Sequence, residues 1–179
     1  MNYNKKICSN IDFKIFKLNE IFDKRGSFIE LFNIKKKISE EFNVKIKQIS
    51  LSKSKKNVLR GFHFQKKKAQ GQFLYVLKGK IFDVILNINK KSKNYRKHKK
   101  IVLDQNENKI IYMSKHCAHA FYTLSKEAWI IYFQTELYYK KYDSGFYWDD
   151  KKLNIKWPKG EKILSEKDKN LKFFHEIIK

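Results

Sequence analysis

Most of the chain is divided into short runs of Ile, Val, Phe and Tyr separated by turn residues, a pattern typical of β-strands. Strands at this regular spacing, with helices only at the edges, favour a sandwich or a barrel. We therefore predict an all-β fold with short peripheral helices. The predicted strands are Phe13–Leu18, Ser27–Phe32, Lys45–Ser52, Val58–Gln65, Phe73–Leu77, Lys80–Asn89, Lys99–Asp104, Lys109–Met113, Ala118–Leu124 and Ala128–Thr135.

Helical patterns occur at three places. Residues Asn33–Asn43 form one internal candidate. A second helix is predicted to start after Ser165, which can cap it, with Asp168 at the capping-box position. The spacing over Leu171–Ile178 predicts a helical C-terminal tail. With 179 residues, one Pro and no boundary in composition, residues 1–179 are expected to form one domain.

The chain is strongly basic, with 41 Lys and Arg against 18 Asp and Glu. Almost all of the excess is lysine spread through every loop, whereas arginine, the better residue for reading phosphates and bases, occurs only at Arg25, Arg60 and Arg96. This distribution argues against specific nucleic-acid binding. The net charge of +23 should still attract anionic small molecules.

The two cysteines, Cys8 and Cys117, form neither a disulfide framework nor a metal-binding pattern. The N-terminal residues lack the apolar segment of a signal peptide, and no apolar run approaches the roughly 18 residues that a membrane-spanning helix needs. Two thiols in a chain without a signal peptide are typical of a reducing compartment. We therefore expect a cytoplasmic protein that does not cross a membrane.

The segment Val58–Gln65 places Arg60 and His63 three residues apart in a predicted strand. Side chains alternate between the faces of a strand, so these two would point in opposite directions unless Gly61 introduces a bulge. An anion-binding cation beside a base that titrates near neutrality is suited to proton transfer on a charged substrate. The alternative is a buried, hydrogen-bonded histidine beside a surface arginine.

Two further residues in apolar strands are candidates for the same site. His119 lies among small and apolar residues, and Tyr132 lies in an apolar strand, where a phenol can act as a general acid or belong to the core. A metal is not expected, because zinc and iron sites need three or four converging ligands. His63 is followed by Phe64 and Gln65, with no second histidine or carboxylate nearby.

Taken together, these segments resemble one family, the deoxynucleotide-sugar 3,5-epimerases that act on 4-keto-6-deoxyhexoses. The resemblance extends from about Ile21 to Asp168. Each stretch is a weak signal by itself, and their order and spacing make the whole a strong one. The matching stretches are Asp23–Glu30, Val58–Gln65, Ala69–Gly71, Gly79–Val84, Ala118–Phe121, Trp148–Asp150, Ile155–Pro158 and Leu164–Asp168.

The resemblance implies a double-stranded β-helix (a cupin or jelly-roll barrel) that forms a homodimer and uses no metal and no cofactor. It also implies that His63 abstracts the proton next to the ketone, that Asp168 pairs with His63, and that Tyr132 returns a proton on the opposite face. Tyr138 matches an aromatic residue that stacks on the nucleotide base. The implied substrate-binding residues are Arg25, Glu30, Gln48, Ser50, Arg60, Gln72, His119, Tyr138 and Asp143.

The implied reaction is epimerisation of a dTDP-linked 4-keto-6-deoxy sugar (dTDP-4-dehydro-6-deoxyglucose) at C3 and C5 through an enolate. Three positions depart from the usual pattern: Gln72 replaces a lysine, Ser50 an asparagine and Asp143 a glutamate. A neutral amide donates a weaker hydrogen bond than a charged amine, so Gln72 can slow enolisation. Alternatives are therefore a C3-only or C5-only epimerase, a 3,4-ketoisomerase, or a binding barrel with impaired catalysis.

Overall fold

The computed structural model describes residues 6–10, 13–33 and 44–178. The predicted helix at Asn33–Asn43 therefore lies almost wholly outside the described residues. Strands are the main regular secondary structure of the described residues. They are β1 (Lys6–Asn10), β2 (Phe13–Lys17), β3 (Glu20–Asp23), β4 (Gly26–Ile29), β5 (Gln48–Lys55), β6 (Leu59–Gln65), β7 (Gln72–Lys78), β8 (Lys80–Asn87), β9 (His98–Asp104), β10 (Lys109–Met113), β11 (Cys117–Thr123), β12 (Glu127–Gln134) and β13 (Asp143–Gly145).

The strands form two antiparallel sheets and one separate hairpin. The six-stranded sheet has the order β1-β2-β10-β7-β12-β5, the five-stranded sheet has the order β13-β6-β11-β8-β9, and β3 pairs with β4 alone. From β5 to β13 the chain changes sheet at every connection except the one from β8 to β9. This alternation produces a double-stranded β-helix, so the predicted all-β barrel is confirmed.

Both faces of the central strands are buried, and this explains why they appear in the sequence as continuous apolar runs. In β7, Leu74 and Val76 face the core between the sheets, whereas Phe73 and Tyr75 belong to a second cluster. That second cluster includes Leu31, Phe32, Val44 and Ile46, outside the sheets. A third cluster joins the five-stranded sheet to the C-terminal segment through aromatic residues. They include Phe62, Phe146, Trp157 and Phe174.

Two short helices follow the barrel, α1 (Glu166–Lys169) and α2 (Phe174–Ile177). The cap predicted at Ser165 is present, because its hydroxyl accepts a hydrogen bond of 3.1 Å from the backbone N–H of Asp168. The segment before α1 is attached to β6, where the N–H of Leu59 donates to the carbonyl of Ile163 at 3.0 Å. These contacts fix Asp168 beside the five-stranded sheet.

The strands that the sequence did not predict are β1, β3 and β13. They are short, and the exposed, charged β3 has no apolar alternation that would identify it. Within the described residues, no helix has the length and the apolar composition needed to cross a membrane.

Candidate active site

The predicted bulge in β6 is present and determines where Arg60 and His63 point. Across the β6–β11 pair, Arg60 lies opposite Phe121 and His63 opposite His119, so β6 carries one extra residue over this interval. Gly61 has φ 112°, and a side chain there would place Cβ 2.5 Å from the carbonyl oxygen of His119. Glycine is therefore required, and both Arg60 and His63 line the same cavity.

This cavity has a volume of about 260 Å³ and receives side chains from both sheets. Strands β5, β7 and β12 supply one wall, and β6 and β11 the other. Six of the predicted site residues meet here, together with three that sequence reasoning missed, namely Ser52, Phe121 and Gln134. The six predicted residues are Ser50, Arg60, His63, Gln72, His119 and Tyr132.

His63 forms a pair with a carboxylate from outside the sheet. Its Nε2 lies 2.9 Å from Oδ1 of Asp168, with 34% of the His63 side chain exposed and 4% of the Asp168 side chain. The two groups are within ion-pair distance, but no aligned hydrogen bond reaches Oδ1, and Nδ1 of His63 is buried without a partner among the described residues. Hydrogen bonds between catalytic groups are often poorly aligned in the absence of substrate and become shorter and better aligned when substrate binds.

The ionisation of Asp168 favours this pairing. Burial by itself raises the pKa of Asp168, but the facing His63, with smaller contributions from the Ser165 hydroxyl and Lys167, outweighs burial and lowers that pKa below its usual range. Asp168 is therefore a carboxylate at neutral pH. A carboxylate in this position is able to stabilise a neighbouring imidazolium.

A second histidine–carboxylate pair lies beside the first. Nε2 of His119 is 2.5 Å from Oδ1 of Asp83, and the Asp83 side chain is completely buried. Asp83 comes from β8, the strand next to β11. Sequence reasoning assigned no role to Asp83, although a single carboxylate inside the apolar run Lys80–Asn87 is a recognisable signal.

Tyr132 lies on the wall opposite His63, in β12 of the six-stranded sheet. Burial raises the pKa of the Tyr132 phenol well above its usual range, the Asp83 charge raises it further, and Arg60 opposes them. Tyr132 therefore remains protonated throughout the neutral range. Its ring also lies edge-on to His119, with 6.3 Å between the ring centroids.

The remaining polar groups form an ordered lining. Arg60 is held by the Ser54 hydroxyl, which accepts from Nε at 3.0 Å, and by the carbonyl of Lys53. Among the described residues that line the cavity, Arg60 is the one permanent cation. The side chain of Gln72 enters from β7, which pairs with β12. The cavity thus offers one charge and several neutral donors.

Three predicted residues lie outside the cavity lining and extend the site. The Tyr138 phenol donates a 2.8 Å hydrogen bond to Asp143, which also forms an ion pair with Lys167. The N–H of Tyr138 donates to Oε1 of Gln48 at 2.8 Å, and the Gln48 amide in turn donates to Ser50 in the cavity. Tyr138 is 49% exposed, so a ring face is open to a ligand. This hydrogen-bonded chain connects Tyr138 to the cavity lining.

Arg25 and Glu30 do not reach the cavity within this chain. Arg25 is at the exposed turn of the β3–β4 hairpin, where its guanidinium pairs with Asp23 at 2.6 Å. Glu30 directly follows β4. Within the described ranges, no three His, Cys, Asp or Glu side chains are grouped as a metal site would require.

The chain is similar to proteins of one family. A sequence model of the family described as dTDP-4-dehydrorhamnose 3,5-epimerase matches residues 10–176. The dTDP-4-dehydrorhamnose 3,5-epimerase of Methanothermobacter thermautotrophicus is 37% identical over 174 residues, covering 95% of this chain and 94% of that protein. The comparable enzyme of Shigella flexneri is 37% identical and covers 89% of each chain.

Solved structures agree with these sequence relatives. The dTDP-6-deoxy-D-glucose-3,5-epimerase of Legionella pneumophila, in complex with dTDP-4-keto-L-rhamnose, has a TM-score of 0.91 and 32% identity, covering 97% of this chain and 94% of that one. The dTDP-4-dehydrorhamnose 3,5-epimerase of Bacillus anthracis, with TDP and PPi bound, has a TM-score of 0.89 and 34% identity, covering 96% and 99%.

Proposed function

The chain belongs to the dTDP-4-dehydrorhamnose 3,5-epimerase family, and we propose that it epimerises a dTDP-linked 4-keto-6-deoxyhexose at C3 and C5 without a cofactor. The observation that carries this proposal is the placement of a base and an acid on facing walls of one cavity. His63 with Asp168 comes from the side of the five-stranded sheet, and Tyr132 comes from the six-stranded sheet. Inversion at a carbon requires such an arrangement.

In the proposed reaction, His63 removes the proton from the carbon next to the C4 ketone. The electron pair moves to the C4 oxygen and forms an enolate, while Asp168 stabilises the imidazolium. Because C3 and C5 both flank C4, one base can serve both positions after the sugar shifts or changes its ring conformation. General-base catalysis of this kind contributes typically about 10²–10⁴-fold to the rate.

Tyr132 completes the inversion by donating its phenolic proton to the other face of the same carbon. The raised pKa of Tyr132, caused first by burial and then by the Asp83 charge, keeps this proton in place until the carbanion needs it. The Tyr132 phenolate then recovers a proton from solvent. The His63 imidazolium releases its proton to solvent, so both residues return to their starting protonation states at the end of a turnover.

The enolate oxygen needs hydrogen-bond donors, and here the site has little positive charge. Arg60 and the neutral amide of Gln72 line the cavity, with no lysine among its described lining residues. A neutral donor gives roughly half the strength of a charge-assisted one. This observation favours, as a second candidate, an epimerase with reduced activity or one that acts at a single carbon.

Binding of the nucleotide is proposed for the open face of Tyr138, with Gln48, Ser50 and Asp143 around it. We propose that Arg60, which lines the cavity, holds the diphosphate or the sugar. The ligands named in the Legionella pneumophila and Bacillus anthracis structures, dTDP-4-keto-L-rhamnose and TDP, support dTDP as the nucleotide.

We also propose that the chain, one domain over residues 1–179, works as a homodimer in the cytoplasm. Large apolar side chains are exposed on the β3–β4 hairpin, where Phe22 is 72% and Phe28 is 65% exposed, and on the edge strand β5 at Ile49 and Leu51. Burial of these surfaces against a second copy would stabilise a dimer. The buried thiol of Cys117, which forms no disulfide among the described residues, suits a reducing compartment.

Deuterium exchange tests the function directly. The protein is incubated with dTDP-4-keto-6-deoxyglucose in D₂O, and deuterium at C3 and at C5 is followed by NMR. We expect incorporation at both carbons. Incorporation at C3 alone would reject the 3,5 assignment but keep the chemistry, and incorporation at neither carbon, with binding intact, would reject the enzyme.

A further inference from the structure

Strand β5 presents an alternating set of polar side chains on one face. Gln48, Ser50, Ser52 and Ser54 are two residues apart along the strand and are more buried than the residues between them. Three of them are engaged with protein groups. The Gln48 amide donates to Ser50, the Ser50 hydroxyl donates to Gln134, and Ser54 accepts from Arg60, each at 3.0 Å.

Ser52 is the exception in this set. It lines the active-site cavity, yet its Oγ is buried and has no hydrogen-bond partner among the described residues. Its cross-strand neighbour in β12 is the apolar Ile130, whose side chain offers no hydrogen-bond partner. A buried hydroxyl without a partner lowers stability, so an unpaired one in a cavity points to a ligand that pairs with it.

We propose that the Ser52 hydroxyl donates a hydrogen bond to the C4 oxygen of the sugar and stabilises the enolate. This inference rests on the epimerase function proposed above. A ketone or enolate oxygen has no proton, so it must be met by donors. The proton of Ser50 is already directed to Gln134, whereas that of Ser52 is free, and a rotation about χ1 moves the hydroxyl between staggered positions.

The position of Ser52 along β5 fits this role. Ser50 lies opposite Tyr132 in the neighbouring strand, and Ser54 holds Arg60. Ser52 is between these two, so a sugar that contacts both Tyr132 and Arg60 also lies against Ser52. Together with the Gln72 amide, Ser52 thus supplies neutral donors in a cavity whose described lining contains one permanent cation, Arg60.

The test uses Ser52→Ala and a matched control. Thr123 also has a buried hydroxyl without a partner among the described residues, but it lies in β11 away from the cavity lining. Both Ser52→Ala and Thr123→Val remove such a group, so each should raise Tm by about 2–4 °C. Only Ser52→Ala should slow exchange, by about 10²-fold and by the same factor at C3 and C5, because both carbons share one enolate oxygen.

Ser52→Thr keeps the hydroxyl and should restore most of the rate. The inference would be overturned if Ser52→Ala exchanged as fast as the unmodified protein, or if it lost rate together with thermal stability. Unequal loss at C3 and C5 would also reject the C4 oxygen as the partner. If the unmodified protein showed no exchange while binding the nucleotide sugar, the proposed function itself would fail, and the Ser52 inference with it.

Discussion

His63 and His119 are neighbours in one sheet and each pairs with a carboxylate, but the surroundings of the two pairs differ. His63 and His119 lie opposite each other across β6 and β11. The His63–Asp168 pair has a separation of 2.9 Å, and a third of its histidine side chain is exposed. The His119–Asp83 pair is closer, at 2.5 Å, and 10% of its histidine side chain is exposed. We call His63–Asp168 the open pair and His119–Asp83 the closed pair.

The difference follows from where each carboxylate originates. Asp83 is a residue of the adjacent strand, and its packing closes the pair inside the barrel. Asp168 comes from α1, which reaches the sheet from outside, so His63 keeps a face toward the cavity. A base must reach its substrate, whereas a buried charge can act at a distance. The open pair is therefore suited to proton abstraction, whereas the Asp83 charge of the closed pair adds to the effect of burial in raising the pKa of Tyr132.

The largest effect should come from the open pair. We expect His63→Ala to lower deuterium incorporation at both C3 and C5 by about 10²–10⁴-fold, since the other histidine on that wall, His119, is paired with the buried Asp83 and is only 10% exposed. Incorporation is measured by NMR in D₂O with saturating substrate. Nucleotide binding should be retained, because Tyr138 and Gln48 are untouched.

His116→Ala is the control for this variant, because His116 is exposed and lies outside the cavity lining. It should exchange at the rate of the unmodified protein. If His119→Ala abolished exchange while His63→Ala did not, the assignment of the two pairs would have to be reversed.

The closed pair should dominate stability. Asp83→Ala leaves His119 without its buried partner and should lower the free energy of unfolding by about 3–5 kcal/mol. Asp168→Ala removes a partner of the more exposed His63 and should lower it by about 1 kcal/mol or less. Urea denaturation of both variants at neutral pH measures this contrast. Equal losses would mean that the two pairs do not differ in burial as described.

The sequence predicted the barrel strands well because their apolar runs are long enough to bury both faces. It missed β1, β3 and β13, which are held by pairing to a neighbour rather than by their own composition. The carboxylate partners of the two histidines also differ in whether the sequence predicts them. Asp168 came from the resemblance alone, whereas Asp83 requires knowledge that β8 lies next to β11.

The cavity itself shows the same limit. The Gly61 bulge could be derived from Arg60 and His63, because it is local to one strand. Ser52 could not be derived, since its lack of a partner depends on which groups surround it after folding. Arg25 and Glu30 were predicted for the site, and within this chain they lie on and beside the hairpin, so their contribution stays a prediction.

A smaller effect is expected for Tyr132→Phe, which should separate proton abstraction from inversion of the substrate carbon. Tyr132→Phe removes the acid on the wall opposite His63 but leaves the open pair intact. Deuterium incorporation should continue, because His63 can return a solvent deuteron to the face from which it removed the proton. Formation of the inverted product should fall by about 10²-fold, the lower end of what a general acid contributes. Product formation at an unchanged rate would count against Tyr132 as the acid.

The smallest effect concerns the acid stability of the open pair. The pKa of Asp168 is lowered in the folded protein; burial opposes ionisation, and the facing His63 outweighs it. A depressed carboxyl pKa adds stability above the unfolded value, about 3.9, and that stability is lost as pH falls through the folded pKa. Between pH 6 and pH 3, Asp168→Asn should therefore lose less unfolding free energy than the unmodified protein, by about 1 kcal/mol or less. Urea denaturation at the two pH values measures the difference. The control is Asp149→Asn, because the carboxylate of Asp149 pairs with an exposed lysine. If Asp168→Asn had the same pH dependence as the unmodified protein, His63 would not favour the ionised form of Asp168. The open and closed pairs would then differ only in how exposed their histidines are.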